Sequence, residues 1–234
     1  MDATKAVEQH NTRQSALQRS LLQTGQFAQS LARISTLTIL LTPILLLAFL
    51  TIDLPMRAFD LFFWGLESAR PSNWLSKGAF FMAFAPFVVI LMARKYGGDE
   101  ASRAVTAAWG VAAIATFAEL SYLAPQLEAG DLPRAKFVMA FVASAMGAQY
   151  IAAGVYDVSR GGLRWWRAPL YAMLSASLVY VLVYFPWVYW GTGVPWANWM
   201  IGDFAVKTFV AFLLLPIYGF MRSSLRPKGG FGGR

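Results

Sequence analysis

Cysteine is absent from the 234 residues, histidine occurs once, as His10, and Asp and Glu together number only twelve. The first absence excludes disulfides, thiolate metal sites and cysteine nucleophiles, and the second removes the usual metal ligand and general base. From one histidine and scattered acids no Ser-His-acid or paired-carboxylate arrangement can be assembled. The chain therefore reads as a non-enzyme with neither metal nor cofactor. Charge is scarce too: 14% of residues are charged, against roughly a quarter in a soluble domain.

Apolar residues fill the gap, at 57% of the chain with a mean hydropathy of +0.49. Nearly uncharged stretches of roughly 18 residues or more recur along its length, the pattern of a polytopic membrane protein. We predict an all-α fold with six transmembrane helices at 36–53, 78–93, 104–125, 137–156, 168–191 and 199–221. They form one domain, 36–221, between a polar, amphipathic N-terminal tail, 1–35, and a basic Gly-rich C-terminal tail, 222–234. The second helix is short for a hydrocarbon layer of about 30 Å. Between the first two, residues 54–77 mix Phe59, Leu61, Phe62, Phe63, Trp64 and Leu66 with Arg57, Asp60 and Glu67, as an interfacial or re-entrant segment would.

Orientation follows from the distribution of cations. With both termini in the cytoplasm, fourteen Lys and Arg fall inside and five outside (Arg57, Arg70, Lys77, Arg134 and Lys136), while Lys207 lies within a span. Positive loops resist translocation, so the count favours N and C termini inside. The net charge of +8 then reflects loops facing anionic lipid rather than a nucleic-acid partner. The first 35 residues lack the pattern of a secretory leader and are expected to remain in the mature protein. Leu17, Leu21, Leu22, Phe27, Leu31 and Ile34 recur there at roughly helical spacing, predicting a helix on the membrane surface or against another membrane subunit.

Ionisable residues within spans cost roughly 2.5 to 3.5 kcal/mol each on insertion scales and should face partners. Asp53 sits at a helix end, where water reaches it. Asp203 and Lys207 are four apart on the sixth helix, on one face, able to neutralise each other. Glu119 on the third helix lies within about 3 Å of the depth of Lys207. If those helices are neighbours, Glu119, Asp203 and Lys207 form one cluster, serving as a structural ion pair or as a substrate or proton site. Ala140, Ser144 and Ala148 on the fourth helix, beside Ala143 and Gly147, and Ala104, Ala108 and Ala112 on the third, form small-residue rows that allow close helix approach. Gln149 and Tyr150 are polar groups on the fourth helix that can bond a ligand or another helix. On the fifth helix, Trp187 to Trp190, with Trp196 and Trp199 beyond it, read as an interfacial belt, whereas Tyr180 and Tyr184 lie deeper on one face, placed either to pack or to stack on a flat ring.

Four pieces between residues 80 and 221 carry a family resemblance: Tyr96-Gly97 followed by Arg103; Gln149 and Tyr156; Arg164-Trp165-Trp166-Arg167-Ala168-Pro169; and Asp203, Lys207 and Leu215-Pro216-Ile217-Tyr218-Gly219. In order and spacing they resemble the vitamin uptake transporter family, six-span bacterial proteins typified by transporters of queuosine precursors. The chain departs from that pattern at Val89, Ile90 and Leu91, where an acid is usual, and at Ala152, Ser177 and Tyr180, where Asp, Asn and Asp are usual. The resemblance implies a multi-pass protein of the bacterial cytoplasmic (inner) membrane that takes up a deazaguanine base or similar small flat solute. The expected solute-binding set is Gln149, Tyr180, Tyr184, Asp203, Lys207 and Glu119. No G-x-x-x-x-G-K-[ST] loop is present, so any ATP drive belongs to another chain. The altered polar positions and the amphipathic tail support a second expectation, a non-transporting structural or assembly subunit of a larger membrane complex.

Overall fold

The computed structural model describes residues 2–63, 67–123, 134–162 and 164–225. The end of the C-terminal tail, Pro227 to Arg234, lies outside them. Seven α-helices follow in order: α1 (Asp2–Leu50), α2 (Lys77–Phe81), α3 (Ala85–Tyr96), α4 (Gly98–Leu123), α5 (Ala135–Ser159), α6 (Arg167–Tyr189) and α7 (Trp196–Met221). No strand occurs among the described residues. Residues to Thr36 form one compact unit and those from Leu37 onward a second. In the first, the helix exposes Leu21, Leu22, Phe27 and Leu31.

Among the described residues six segments are long and apolar enough to cross a membrane: Leu21–Leu50, Lys77–Tyr96, Gly98–Leu123, Ala135–Ser159, Arg167–Tyr189 and Trp196–Met221. Their outward faces support the same solvent. α7 buries Val210, Ala211 and Leu214 yet exposes Phe209, Phe212, Leu213, Ile217 and Phe220. A helix apolar on both its packed and its open face belongs in lipid. The chain is a multi-pass membrane protein.

Within the second unit α5 is the hub, packing on α3, α4 and α6, while α6 also packs on α7. The small-residue rows explain the close packing: Ala140, Ser144 and Ala148 on α5 and Ala104, Ala108 and Ala112 on α4 are all buried. Leu37, Leu41, Leu45 and Ala48 of α1 join the same core at three- and four-residue spacing.

The second span is a broken helix. Turn residues 82–84 separate α2 from α3, and Pro86 follows at the start of α3. Proline has no N–H to donate to the Met82 carbonyl four residues back, so one helical hydrogen bond is lost at the break. Gly78 makes the entry possible: a Cβ there would collide with the Ala48 carbonyl and the Ile52 backbone. The described residues of the segment before it form three short 3-10 helices (Arg57–Phe63, Glu67–Ala69 and Pro71–Asn73), exposing Leu61 and Phe62 at 81% each. Its ends close through Met56 N–H to the Leu75 carbonyl (2.9 Å) and Lys77 N–H to the Leu54 carbonyl (2.7 Å).

Candidate functional site

On α6 and α7, positions four apart share a face, which aligns Tyr180 with Tyr184 and Asp203 with Lys207. Helix packing brings these faces together. Lys207 donates to both carboxylate oxygens of Asp203, and the pair is buried, at 4% and 1% exposure. The Lys207 ammonium also lies 4.3 Å from the centre of the Tyr180 ring, a cation–π contact in a desolvated setting. Tyr180 stacks on Tyr184 with centroids 5.4 Å apart and planes inclined by 17°. Tyr189 extends the aromatic wall from Tyr184 to Trp199. The hydroxyl of Tyr180 is buried without a hydrogen-bond partner.

Two cavities meet this assembly. The larger, about 240 Å³, is bounded by Tyr180, Tyr184, Tyr189 and Asp203 together with Asp53 and Trp74. The smaller, about 10 Å³, is room for roughly one water and is lined by Gln149, Ser177, Lys207, Tyr180 and, from the broken helix, Met82 and Pro86. Tyr180 is the one residue lining both. The ion pair spans the same partition, Asp203 facing the large cavity and Lys207 the small one.

Gln149 reaches the small cavity from α5. Its amide oxygen accepts a hydrogen bond from the indole of Trp109 at 3.0 Å, while its NH2 group meets only the thioether of Met82, at 4.0 Å. An amide NH2 can donate twice, and sulfur is a weak acceptor, so this group retains donor capacity toward the cavity. Tyr150 is spent elsewhere, its hydroxyl 2.7 Å from that of Thr106.

Five of the six expected residues thus converge: Gln149, Tyr180, Tyr184, Asp203 and Lys207. Glu119 does not. It is exposed on α4, a helix that packs on α3 and α5 and not on the face of α7 carrying Lys207. The similar depth of Glu119 and Lys207 is a coordinate along the membrane normal; meeting also requires neighbouring helices and facing sides, and neither holds here.

Sequence reasoning passed over three participants. Trp109 was hidden among the apolar residues of α4, although its place beside the Ala104, Ala108 and Ala112 row marks it as inward-facing. Trp74, read as part of an interfacial stretch, tucks against α7, where a Cβ on Gly202 would meet its ring at 2.9 Å. Arg94 organises the opposite end of the bundle: it donates to the Tyr218 hydroxyl (3.3 Å) and the Arg222 carbonyl (3.2 Å), and Tyr218 is hydrogen-bonded to Tyr156 at 2.7 Å. Trp165 stacks on Tyr218 there. Among the described residues no group of three His, Cys, Asp or Glu is placed to hold a metal ion.

Comparison with protein-family models, with curated proteins and with solved structures returned no match.

Proposed function

We propose that the chain is a carrier for a small flat solute, which enters the large cavity and passes the Tyr180–Tyr184 stack by alternating access. The observation that carries this reading is the division of one polar set by Tyr180: Asp203 borders a cavity open to solute-sized molecules, while Lys207 and Gln149 border a water-sized one. Discontinuous helices and polar groups at mid-depth are the usual furniture of carrier sites, and the break before Pro86 borders the small cavity. A stacked tyrosine pair offers a flat face to a planar ring.

The cation count argues that both termini face the cytoplasm, so the large cavity opens to the opposite side, and the family resemblance directs the membrane to the bacterial inner one. The likeness of Gln149, Asp203, Lys207 and the Leu215 to Gly219 stretch to the vitamin uptake transporter family directs the first choice of solute to a deazaguanine base. Uptake of radiolabelled deazaguanine bases into cells expressing the chain tests this. Accumulation above an empty-vector control supports it, and equality with that control overturns the substrate assignment.

The exposed Leu21, Leu22, Phe27 and Leu31 favour a second reading, an assembly subunit of a larger membrane complex that docks through this helix. Mass analysis after purification in mild detergent separates the two, since a solitary chain counts against a subunit.

A further inference from the structure

We propose that the large cavity selects an organic cation, an ammonium carried on an aromatic or similarly flat body. The inference deepens the carrier reading and rests on that cavity being a solute site.

Among the described residues its lining holds two carboxylates, Asp53 at the exposed end and Asp203 buried, and no Lys or Arg. Lys207, bonded to Asp203, borders the other cavity. Asp53 is therefore left as the uncompensated charge of the lining, and a bound cation meets attraction at the mouth and an acid at depth. The walls add a second source of selectivity. Tyr184 and Tyr189 meet edge to face, and Trp74 completes the enclosure from the loop after α1. Aromatic faces attract ammonium groups through the negative charge over their rings. This wall already holds one: the Lys207 ammonium sits over Tyr180 from the far side. An incoming cation would use the same stack from the near side, at Tyr184. A neutral solute gains only the ring contacts, and an anion is repelled by Asp53, the charge that Lys207 does not neutralise.

The test uses the full chain in lipid nanodiscs and four probes of one shape class: benzylammonium, benzyltrimethylammonium, benzyl alcohol and benzoate. Binding is read by tryptophan fluorescence, for which Trp74 is the local reporter, and by the shift in melting temperature. The two cations are expected to bind saturably, benzyl alcohol about tenfold more weakly, and benzoate not at all, the margin that a desolvated cation–π contact plus a charge pair supplies. Asp53→Asn, at an exposed position that leaves the fold intact, is expected to weaken both cations about threefold and leave benzyl alcohol unchanged. Equal binding of benzylammonium and benzyl alcohol, or no change for cations in the Asp53→Asn variant, overturns cation selectivity while leaving a solute pocket in place. Failure of all four probes overturns the pocket itself, and cation selectivity with it.

Discussion

The ammonium of Lys207 bonds the carboxylate of Asp203 on its own helix and at the same time caps the ring of Tyr180 on the neighbouring one. This single cation joins α6 to α7 at the point where the two cavities approach each other. It also sets what happens when either partner is removed.

Lys207→Met leaves the Asp203 carboxylate buried and alone, and Asp203→Asn does the same to the ammonium. Each is expected to destabilise the protein by about 3 to 5 kcal/mol, because a desolvated charge loses its compensation. The double variant Asp203→Leu with Lys207→Met removes both charges and is expected to recover most of that loss. Melting curves followed by size-exclusion chromatography in detergent check this. A double variant as unstable as the sum of the singles would show that the pair is not an isolated unit.

Tyr218 bonds Tyr156 and accepts from Arg94, all within the buried end of the bundle. Tyr218→Phe keeps the ring that stacks on Trp165 and deletes only the hydroxyl. The expected cost is about 1 to 3 kcal/mol, from leaving buried donors unsatisfied. Tyr156→Phe removes the other hydroxyl of the same cluster and is expected to cost a similar amount in the same melting assay.

Two glycines should respond in opposite directions. Gly78→Ala drives a methyl group into the backbone of Ala48 and Ile52, so α1 and α2 must separate and stability falls. Gly147 lies mid-helix in α5 with nothing within 4 Å of a built Cβ, and Gly147→Ala is expected to be neutral or to stabilise by up to about 1 kcal/mol. Expression level and melting temperature of the two variants, measured side by side, check the contrast.

The loop after α1 carries its own pH signature. The Ser72 backbone N–H donates to the Asp60 carboxylate at 3.0 Å, and this bond, aided by the charges of Arg70 and Arg57, holds the carboxyl below its ordinary value of 3.8. A depressed folded value means the contribution is fully present above the unfolded value and is lost as pH falls through the folded one. Protection of the Ser72 amide, its exchange rate relative to a free amide at the same pH, is therefore expected to hold at neutral pH and to fall only below 3.8. Asp60→Ala, which removes the acceptor, should leave the amide unprotected at every pH.

The five convergent site residues were legible because helical spacing is local information. Tyr180 with Tyr184, and Asp203 with Lys207, share faces whatever surrounds them. Gln149 was legible as a polar group among alanines, but its Trp109 partner was not, since an indole donor among apolar neighbours looks like packing until another helix supplies the acceptor. The 54–77 segment showed mixed polarity, yet nothing in its order of residues reveals that Trp74 closes onto Gly202.

Hydropathy, a sum over neighbours in the chain, was enough by itself to determine the lipid solvent and the six spans, and the absence of cysteine excluded thiol chemistry. Tertiary structure alone decided that Glu119 faces outward, that the second span breaks before Pro86, and that Tyr180 stands between two cavities. The physical reason is rotational. Insertion energy depends on depth along the membrane normal, which sequence position specifies, whereas contact depends on each helix's azimuth and neighbours, which only packing of the whole bundle selects.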